Sequence, residues 1–427
     1  MADTTQEQKD VTPGNGSFCI PRAALNALLD NQATAYEICA YLVLAKFTEA
    51  TGRYSSASLH AVNRYTGANK VKGGPVDRAI ERLKTIRAKG AKTMVSNGRK
   101  GYKHELVAQY ADLGPLVIDR DTWHKETGEI LPDGPTERGK ILYVLPDFNE
   151  PVEDRVWFGG NLVRGYATFS QPLKALKNAG DVAARLLLAM YAANDMETWG
   201  GVRPVGNDSG PWSHYEPVAK DVNLYGGARL IRSKDRGNVA SIPKTVSGGN
   251  NEAYWDALRA LESAGLIHEV VLVLNRNAIK EKFASTQEEY SSIPDDAEPL
   301  YELDTRSKHG YKPEGEEGIG WATANTAGAL RHPVATEGGA FDGIYAAIVP
   351  TGYGAMIAGI YRLRFRVSNT KNAGVKGTWA GIHQRNKEAL ELVNSIRAAN
   401  KMPAAIPPKY SKTPVNPVVD KSESLPF

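Results

Sequence analysis

The amino-acid sequence predicts an α+β fold spread over more than one domain, and three observations carry that expectation. The chain has 427 residues, more than a single hydrophobic core usually serves, so two or three domains follow. Apolar residues make up 42% of it, with seven Trp and 19 Tyr, which is enough to fill those cores. Segments with apolar residues three and four apart alternate with short runs of strict period-two alternation, so helices and strands are both present. Cys19 and Cys39 are the only cysteines, which suits a reducing compartment and excludes a disulfide framework. No apolar run reaches the roughly 18 residues of a membrane span. The first ten residues, MADTTQEQKD, are polar and acidic rather than a secretory signal. A cytoplasmic protein without a membrane partner is the expectation.

Residues 33–110 carry the strongest pattern. Ala33 to Ala50 places Ala35, Ile38, Cys39, Leu42 and Ala45 on one helical stripe, stopped by Gly52. Ser55 or Ser56 offers an N-cap for a second helix through Leu59, Val62 and Tyr65, ending at Gly67. A third helix starts near Pro75, buries Val76, Ala79, Ile80, Leu83 and Ile86, and closes at Gly90. TMVS, the basic turn NGRKGYK and HELVAQ then read as a hairpin. Helix, helix, turn, helix, basic hairpin is the order of a winged helix-turn-helix, whose third helix enters a DNA groove while the hairpin touches the backbone.

Charge agrees with that order. From Lys70 to Lys103 there are 11 Lys or Arg against Asp77 and Glu81, a net +9 in a chain whose total is +4. Everything outside this window therefore sums to −5, and so concentrated a stripe is the footprint of phosphate contacts. Helical spacing turns Lys72, Asp77, Arg78, Arg82 and Lys84 away from the core. Arg78 and Lys72, in the first turns, are the candidates for reading base edges. Arg87, Arg99, Lys100 and Lys103 are phosphate contacts in this reading, and Lys70 and Lys89 complete the DNA-binding set. A solvated charged face, or a winged module used to dock proteins, accounts for the same pattern.

The rest of the chain divides as follows. Residues 1–17 form a disordered leader, and Phe18 to Asp30 packs under the first winged module, 18–111. Residues 112–169 are a loop-rich connector with one or two strands. A second winged-helix-like module spans 170–276, with helices over Asp181–Asn194 and Asn250–Ala264 and the strand LIHEVVLVL; it binds DNA weakly or binds protein. Residues 277–339 form an acidic linker. A C-terminal α+β basic domain, 340–401, contains IYRLRFRV (360–367), which puts Arg362, Arg364 and Arg366 on one strand face. Those arginines either follow a nucleic-acid backbone or form the wet side of a half-buried sheet. Residues 402–427 are a flexible Pro-rich tail. The composition as a whole is therefore α+β, with tandem winged helix-turn-helix modules, a basic C-terminal domain and a disordered tail.

No G-x-x-x-x-G-K-[ST] phosphate loop occurs, and the eight histidines are scattered without His-x-His or His-Glu-x-x-His. Gly352 to Gly359 has two glycines of a dinucleotide fingerprint, but Ile357 stands at the third and a strand follows, so a hairpin turn is the reading. No cofactor, metal or catalytic residue is expected.

The first module resembles the winged modules of plasmid and phage replication-initiation proteins through TAYEICAYLVLAKFTEATGRYSS, RYTG and VDRAIERLKTIRAKG, about a fifth of the chain. Two such modules in tandem are similar to theta-type initiators, which the resemblance implies grip iterated origin sites without a catalytic centre. The final DKSESLPF resembles the acidic tip of bacterial single-strand DNA-binding proteins and the short peptides that dock on sliding clamps. Leu425, Pro426 and Phe427 would then bind a replication partner. The expectation is a non-enzymatic, sequence-specific double-stranded DNA-binding protein of a bacterium, phage or plasmid, acting in replication initiation or transcriptional regulation, with a homo-oligomer compatible. A protein-interaction scaffold is the first alternative and a nuclease with an unrecognised site the second.

Overall fold

A computed structural model describes residues 16–49, 52–96, 106–127, 141–151, 154–166, 169–195, 199–202, 220–224, 227–233, 237–238, 244–275, 298–306, 326, 345–351, 355–367 and 378–405. The chain divides into two units. The first holds Met1–Ser213, Ala240–His268 and Ile360–Gly381; the second holds His214–Val239, Glu269–Gly359 and Ile382–Phe427. The α+β class is as expected, but the boundaries set at 111, 169 and 276 do not coincide with this division.

In the first unit, β1 (Ser17–Ile20) leads into α1 (Arg22–Asp30) and α2 (Ala35–Lys46). Thr34 and Glu37 cap α2 reciprocally: Thr34 Oγ1 accepts from Glu37 N at 3.3 Å, and Glu37 Oε2 accepts from Thr34 N at 3.0 Å. Nine of the twelve α2 residues are buried, Ala35 and every residue from Ile38 to Ala45. A helix apolar on all sides must be enclosed on all sides. Each fully buried Ile, Leu or Val contributes about 1.5–3 kcal/mol. Cys39 is fully buried, its Sγ 3.5 Å from the Leu173 carbonyl, and burial pushes its thiol up to about 12; a thiol held so firmly protonated is structural.

Around α2 follow β2 (Tyr54–Ser55), α3 (Leu59–Thr66), α4 (Pro75–Leu83), and the strands β3 (Arg87–Ser96) and β4 (Leu106–Pro115). The expected third helix stops seven residues early: Gly90 lies in β3, where a Cβ would approach Leu113 Cδ2 to 3.0 Å. Lys89 accordingly sits on a strand, not a helix. The region expected to be a loop-rich connector supplies β5 (Ile118–Asp119), α5 (Arg120–Thr127) and β6 (Tyr143–Val144), and β2, β6 and β5 form a small sheet in that order. Then β7 (Val156–Gly159) pairs antiparallel with β1, Ser17 opposite Gly159 and Ile20 opposite Val156. Next come α6 (Asn161–Arg164), α7 (Pro172–Ala179), α8 (Asp181–Ala192), the paired β8 (Asn194–Asp195) and β9 (Gly201–Val202), and later α9 (Asn251–Ser263). Buried residues of α7, α8 and α9, such as Leu173, Leu187 and Leu261, belong to one continuous core with α1 to α4. Arg185 of α8 reaches across it, donating to the carbonyls of Ala33 at 3.1 Å and Val246 at 2.9 Å.

The second unit is built from β10 (Lys220–Leu224), β11 (Ala228–Ser233), β12 (Gly237–Asn238), β13 (Ile267–Asn275), β14 (Glu298–Arg306), β15 (Tyr345–Pro350), β16 (Ala355–Leu363) and α10 (Thr378–Ala399); β13, β16 and α10 begin or end in the first unit. One sheet runs β10-β11-β15 and another β12-β16-β13-β14. β14 lies inside the stretch expected to be an acidic linker, pairing antiparallel with β13. Of the stretch from Gly352 to Gly359, residues 355–359 belong to β16, and the turn expected at its start lies outside the described residues. Val393 and Ile396 of α10 pack with Leu230 and Ile348.

The three strand arginines are a correction. β16 ends at Leu363, so Arg362, Arg364 and Arg366 do not share an exposed strand face. Arg362 is fully buried and its Nε donates to the Gly200 carbonyl. Arg364 donates to Tyr166 Oη at 2.5 Å and Gly265 O at 3.3 Å, with its guanidinium 4.8 Å from the Phe169 ring centroid. Arg366 donates to Leu363 O at 3.2 Å. A period-two pattern reports alternation, but it does not say which face meets water.

These cations act on His268, which is 4% exposed: burial, then Arg362, Arg366 and Arg364, hold its pKa well below the ordinary 6.5. A depressed folded-state pKa gives stability present above the unfolded value and lost as pH falls toward the folded one. Stability should therefore drop, by on the order of 1 kcal/mol, between pH 7.5 and pH 5.5 through this group. Urea unfolding at the two pH values should show that loss in the native protein and a smaller one in His268→Gln. Equal losses in both would contradict the assignment.

Candidate nucleic-acid interface

The outward-facing part of α4 is set by how its inner part is held. Val76, Ala79, Ile80 and Leu83 are buried, at the helical spacing that leaves Arg78, Glu81 and Arg82 exposed. Ser58 Oγ accepts from Ala61 N at 3.3 Å to start α3, and Gly67, at φ 61°, ends it in the left-handed conformation. Pro75 occupies the first turn of α4, where its missing N–H costs nothing.

The turn before α4 is tightly specified. Gly74 N donates to Val71 O at 2.9 Å, and Asp77 Oδ2 accepts from Gly73 N at 2.7 Å. Arg78 Nη1 donates to Gly73 O at 3.0 Å, so the side chain nominated for base reading also braces the turn that presents it. Lys70, Val71 and Lys72 all project into solvent, Val71 at 59%. Lys70, Lys72, Arg78 and Arg82 are thus brought together around the start and outer side of one helix. Among the described residues none of the four has a carboxylate within ion-pair distance.

The candidates further along behave differently. Lys84 Nζ donates to both Glu81 Oε1 and Asp119 Oδ2 at 2.7 Å; burial opposes its charge, but these two bonds outweigh that and raise its pKa. Arg87 Nε bonds both oxygens of Asp112, at 2.8 and 2.6 Å, and holds that carboxyl below its usual range. Lys89 lies 3.7 Å from Asp30 and over the Tyr110 ring. The Arg87–Asp112 pair is 58% and 56% exposed, so solvent screens it strongly. A phosphate can therefore compete for Arg87, whereas Lys84 serves to fasten α4 to β5. Lys92, exposed on β3 opposite Tyr110, belongs with the solvent-facing cations and was not nominated, although it lies inside the basic window.

Arg99, Lys100 and Lys103, and the tail residues Leu425, Pro426 and Phe427, lie outside the described residues. Arg362, Arg364 and Arg366 are committed to the interior contacts given above and are not part of this face. The α9 helix, the counterpart of α4 in the expected second module, carries Glu252, Asp256 and Glu262 against a single Arg259, itself 2.5 Å from Asp256. Its charge is net negative, whereas α4 itself is neutral, Asp77 and Glu81 balancing Arg78 and Arg82, and Lys70 and Lys72 make the approach to α4 basic.

Comparison with known proteins returns no matching family model, no matching curated protein and no matching solved structure. Among the described residues no helix is long and apolar enough to cross a membrane.

The turn makes a stability prediction. Gly73 sits at φ +70° with no atom near its missing Cβ, whereas a Cβ on Gly74 would lie 2.7 Å from the Val71 carbonyl oxygen. Asn tolerates the left-handed region, so Gly73→Asn should cost less than about 1 kcal/mol. Gly74→Ala must displace backbone and should cost about 1–3 kcal/mol. Chemical denaturation measures both, and a neutral Gly74→Ala would mean the turn is not built this way.

Proposed function

We propose that the chain is a non-enzymatic, sequence-specific double-stranded DNA-binding protein, acting in replication initiation or transcriptional control in a bacterium, phage or plasmid. The observation that carries this reading is α4: four buried residues fix its inner face, while Lys70, Lys72, Arg78 and Arg82 stand exposed around its outer one without carboxylate partners among the described residues. The order α2, β2, α3, α4, β3, β4 is compatible with a winged helix-turn-helix, in which α4 would lie in the major groove. Lys70, Lys72, Arg82 and Lys92 would meet phosphates, and Arg78, in the first turn, would meet base edges. The acidic outer side of α9 supports a protein-docking role, not DNA reading, for the second winged-helix-like module. In the same reading Leu425, Pro426 and Phe427 recruit a replication partner.

A scaffold function has one observation in its favour: Tyr110 and Leu113 expose apolar surface on β4, at 47% and 37%. Duplex binding measured against salt separates the two. The DNA reading expects log K to fall with log salt at a slope steeper than about −3, because at least four phosphate contacts are available. Arg78→Ala should cost about 1–3 kcal/mol on the preferred site and little on random duplex, relaxing specificity. A slope near zero, or equal losses on both duplexes, would reject this assignment of roles.

A further inference from the structure

Two stretches of the chain contain no Asp or Glu, residues 50–76 and 155–180. The first carries Arg53, Arg64, Lys70 and Lys72; the second carries Arg155, Arg164, Lys174 and Lys177. Folding brings them together, because α3 and α6 both pack on α7 and all three pack on α2. Arg155 is consumed inside, buried beside Asp147 at 3.8 Å, and Arg53 stacks on Trp123. The remaining cations face outward: Arg64, Arg164 and Lys174 are exposed, and Lys177 is half-buried, as is Lys46 at the end of α2.

Aromatic rings hold most of these cations where carboxylates hold Lys84 and Arg87. Arg164 lies 5.9 Å from the Phe47 centroid, Arg64 lies 5.7 Å from that of Tyr65, and the two rings are 5.5 Å apart. Lys177 sits over Tyr36 at 5.5 Å and Lys46 over Phe18 at 5.8 Å. A ring orients a cation without neutralising it, so the full charge is left for an external anion. Among the described residues no carboxylate comes within ion-pair distance of any of the five. Burial and the like charge of Arg164 depress the Lys46 pKa, as expected for cations that face each other with no anion between them.

The array is continuous with the approach to α4. Lys177 Nζ donates to Gly67 O at 3.5 Å, and a Cβ on Gly67 would fall 2.6 Å from Lys174 Cδ. Lys70 lies three positions beyond Gly67, a reach of at most about 11 Å. The rings of Phe47 and Tyr65 are each covered by a guanidinium, which leaves them poor platforms for unstacked bases. The guanidinium N–H groups remain available to grip phosphate oxygens.

We infer that the face formed by Arg64, Arg164, Lys174 and Lys177 grips the phosphate backbone of duplex DNA flanking the groove that α4 enters. This rests on the DNA-binding function proposed above and lengthens its footprint beyond one helical turn. Binding is measured on duplexes of about 12 and about 24 base pairs sharing the same central sequence, roughly one turn and two. The native protein should bind the longer duplex more tightly, with a salt slope steeper by about 2–3, the value for three added phosphate contacts. In Arg64→Gln/Arg164→Gln/Lys174→Gln, with an unchanged melting temperature, that gain should vanish and the two slopes should converge. If the native protein shows no gain on the longer duplex, or the triple variant keeps it, the flanking grip is wrong while the role of α4 stands. If the native protein binds neither duplex, both fall.

Discussion

Enclosure of α2 is the constraint on which the first unit depends. Residues Ile38 to Ala45 are all buried, so no side of this helix can be left to water without exposing several large side chains at about 1.5–3 kcal/mol each. β1, β2, α3, α4, α6, α7 and α8 cover it. Their mutual placement follows from where α2 needs cover, and the outward aspect of α4 is a by-product of what it buries. The core sets the exposed side of the helix directly: Val76, Ala79, Ile80 and Leu83 hold α4 down, and the residues between them are free to carry charge.

Electrostatics then sorts the cations into two groups that sequence counting merges. Lys84, Arg87 and Lys89 each have a carboxylate at 2.6–3.7 Å, so part of the +9 in the basic window is balanced on the spot. Lys70, Lys72, Arg82 and Lys92 are exposed without such a partner among the described residues. Positive charge without a carboxylate partner is therefore concentrated in the turn before α4, on Arg82 and on Lys92, with the aromatic-backed cations of α3, α6 and α7 adding to it. Partnered cations fasten α4 and the hairpin base to their surroundings, and the others are available for binding.

Much of the first unit was legible because local chemistry and tertiary need agree there. Ser58, Gly67 and Pro75 mark helix ends by their own conformational preferences, and the apolar spacing of α3 and α4 matches their buried faces. The end of α4 was misread because Ile86 is buried and continues the helical spacing, yet Thr85 and Ile86 are β-branched and the chain is already entering β3. The arginines at 362, 364 and 366 show the reverse failure: alternation was real, but water touches neither face at Arg362, and its Gly200 partner lies 162 residues away. No local pattern encodes so distant a contact. β10 to β12 and β14 were missed for the same reason, since their pairing with β11, β15, β16 and β13 supplies the order that their own polar sequences do not. At the candidate interface the residue types and their spacing were legible. Which cations had carboxylate partners was not, because Asp30, Asp112 and Asp119 arrive from elsewhere in the chain.

The most direct test of the account is backbone amide hydrogen exchange with and without a duplex of about two helical turns at low salt. Contact through α4 and the turn before it predicts slowed exchange over residues 70–92, with residues 378–399 unchanged. No protection over 70–92 on a duplex that is demonstrably bound, or protection confined to 378–399, would contradict it.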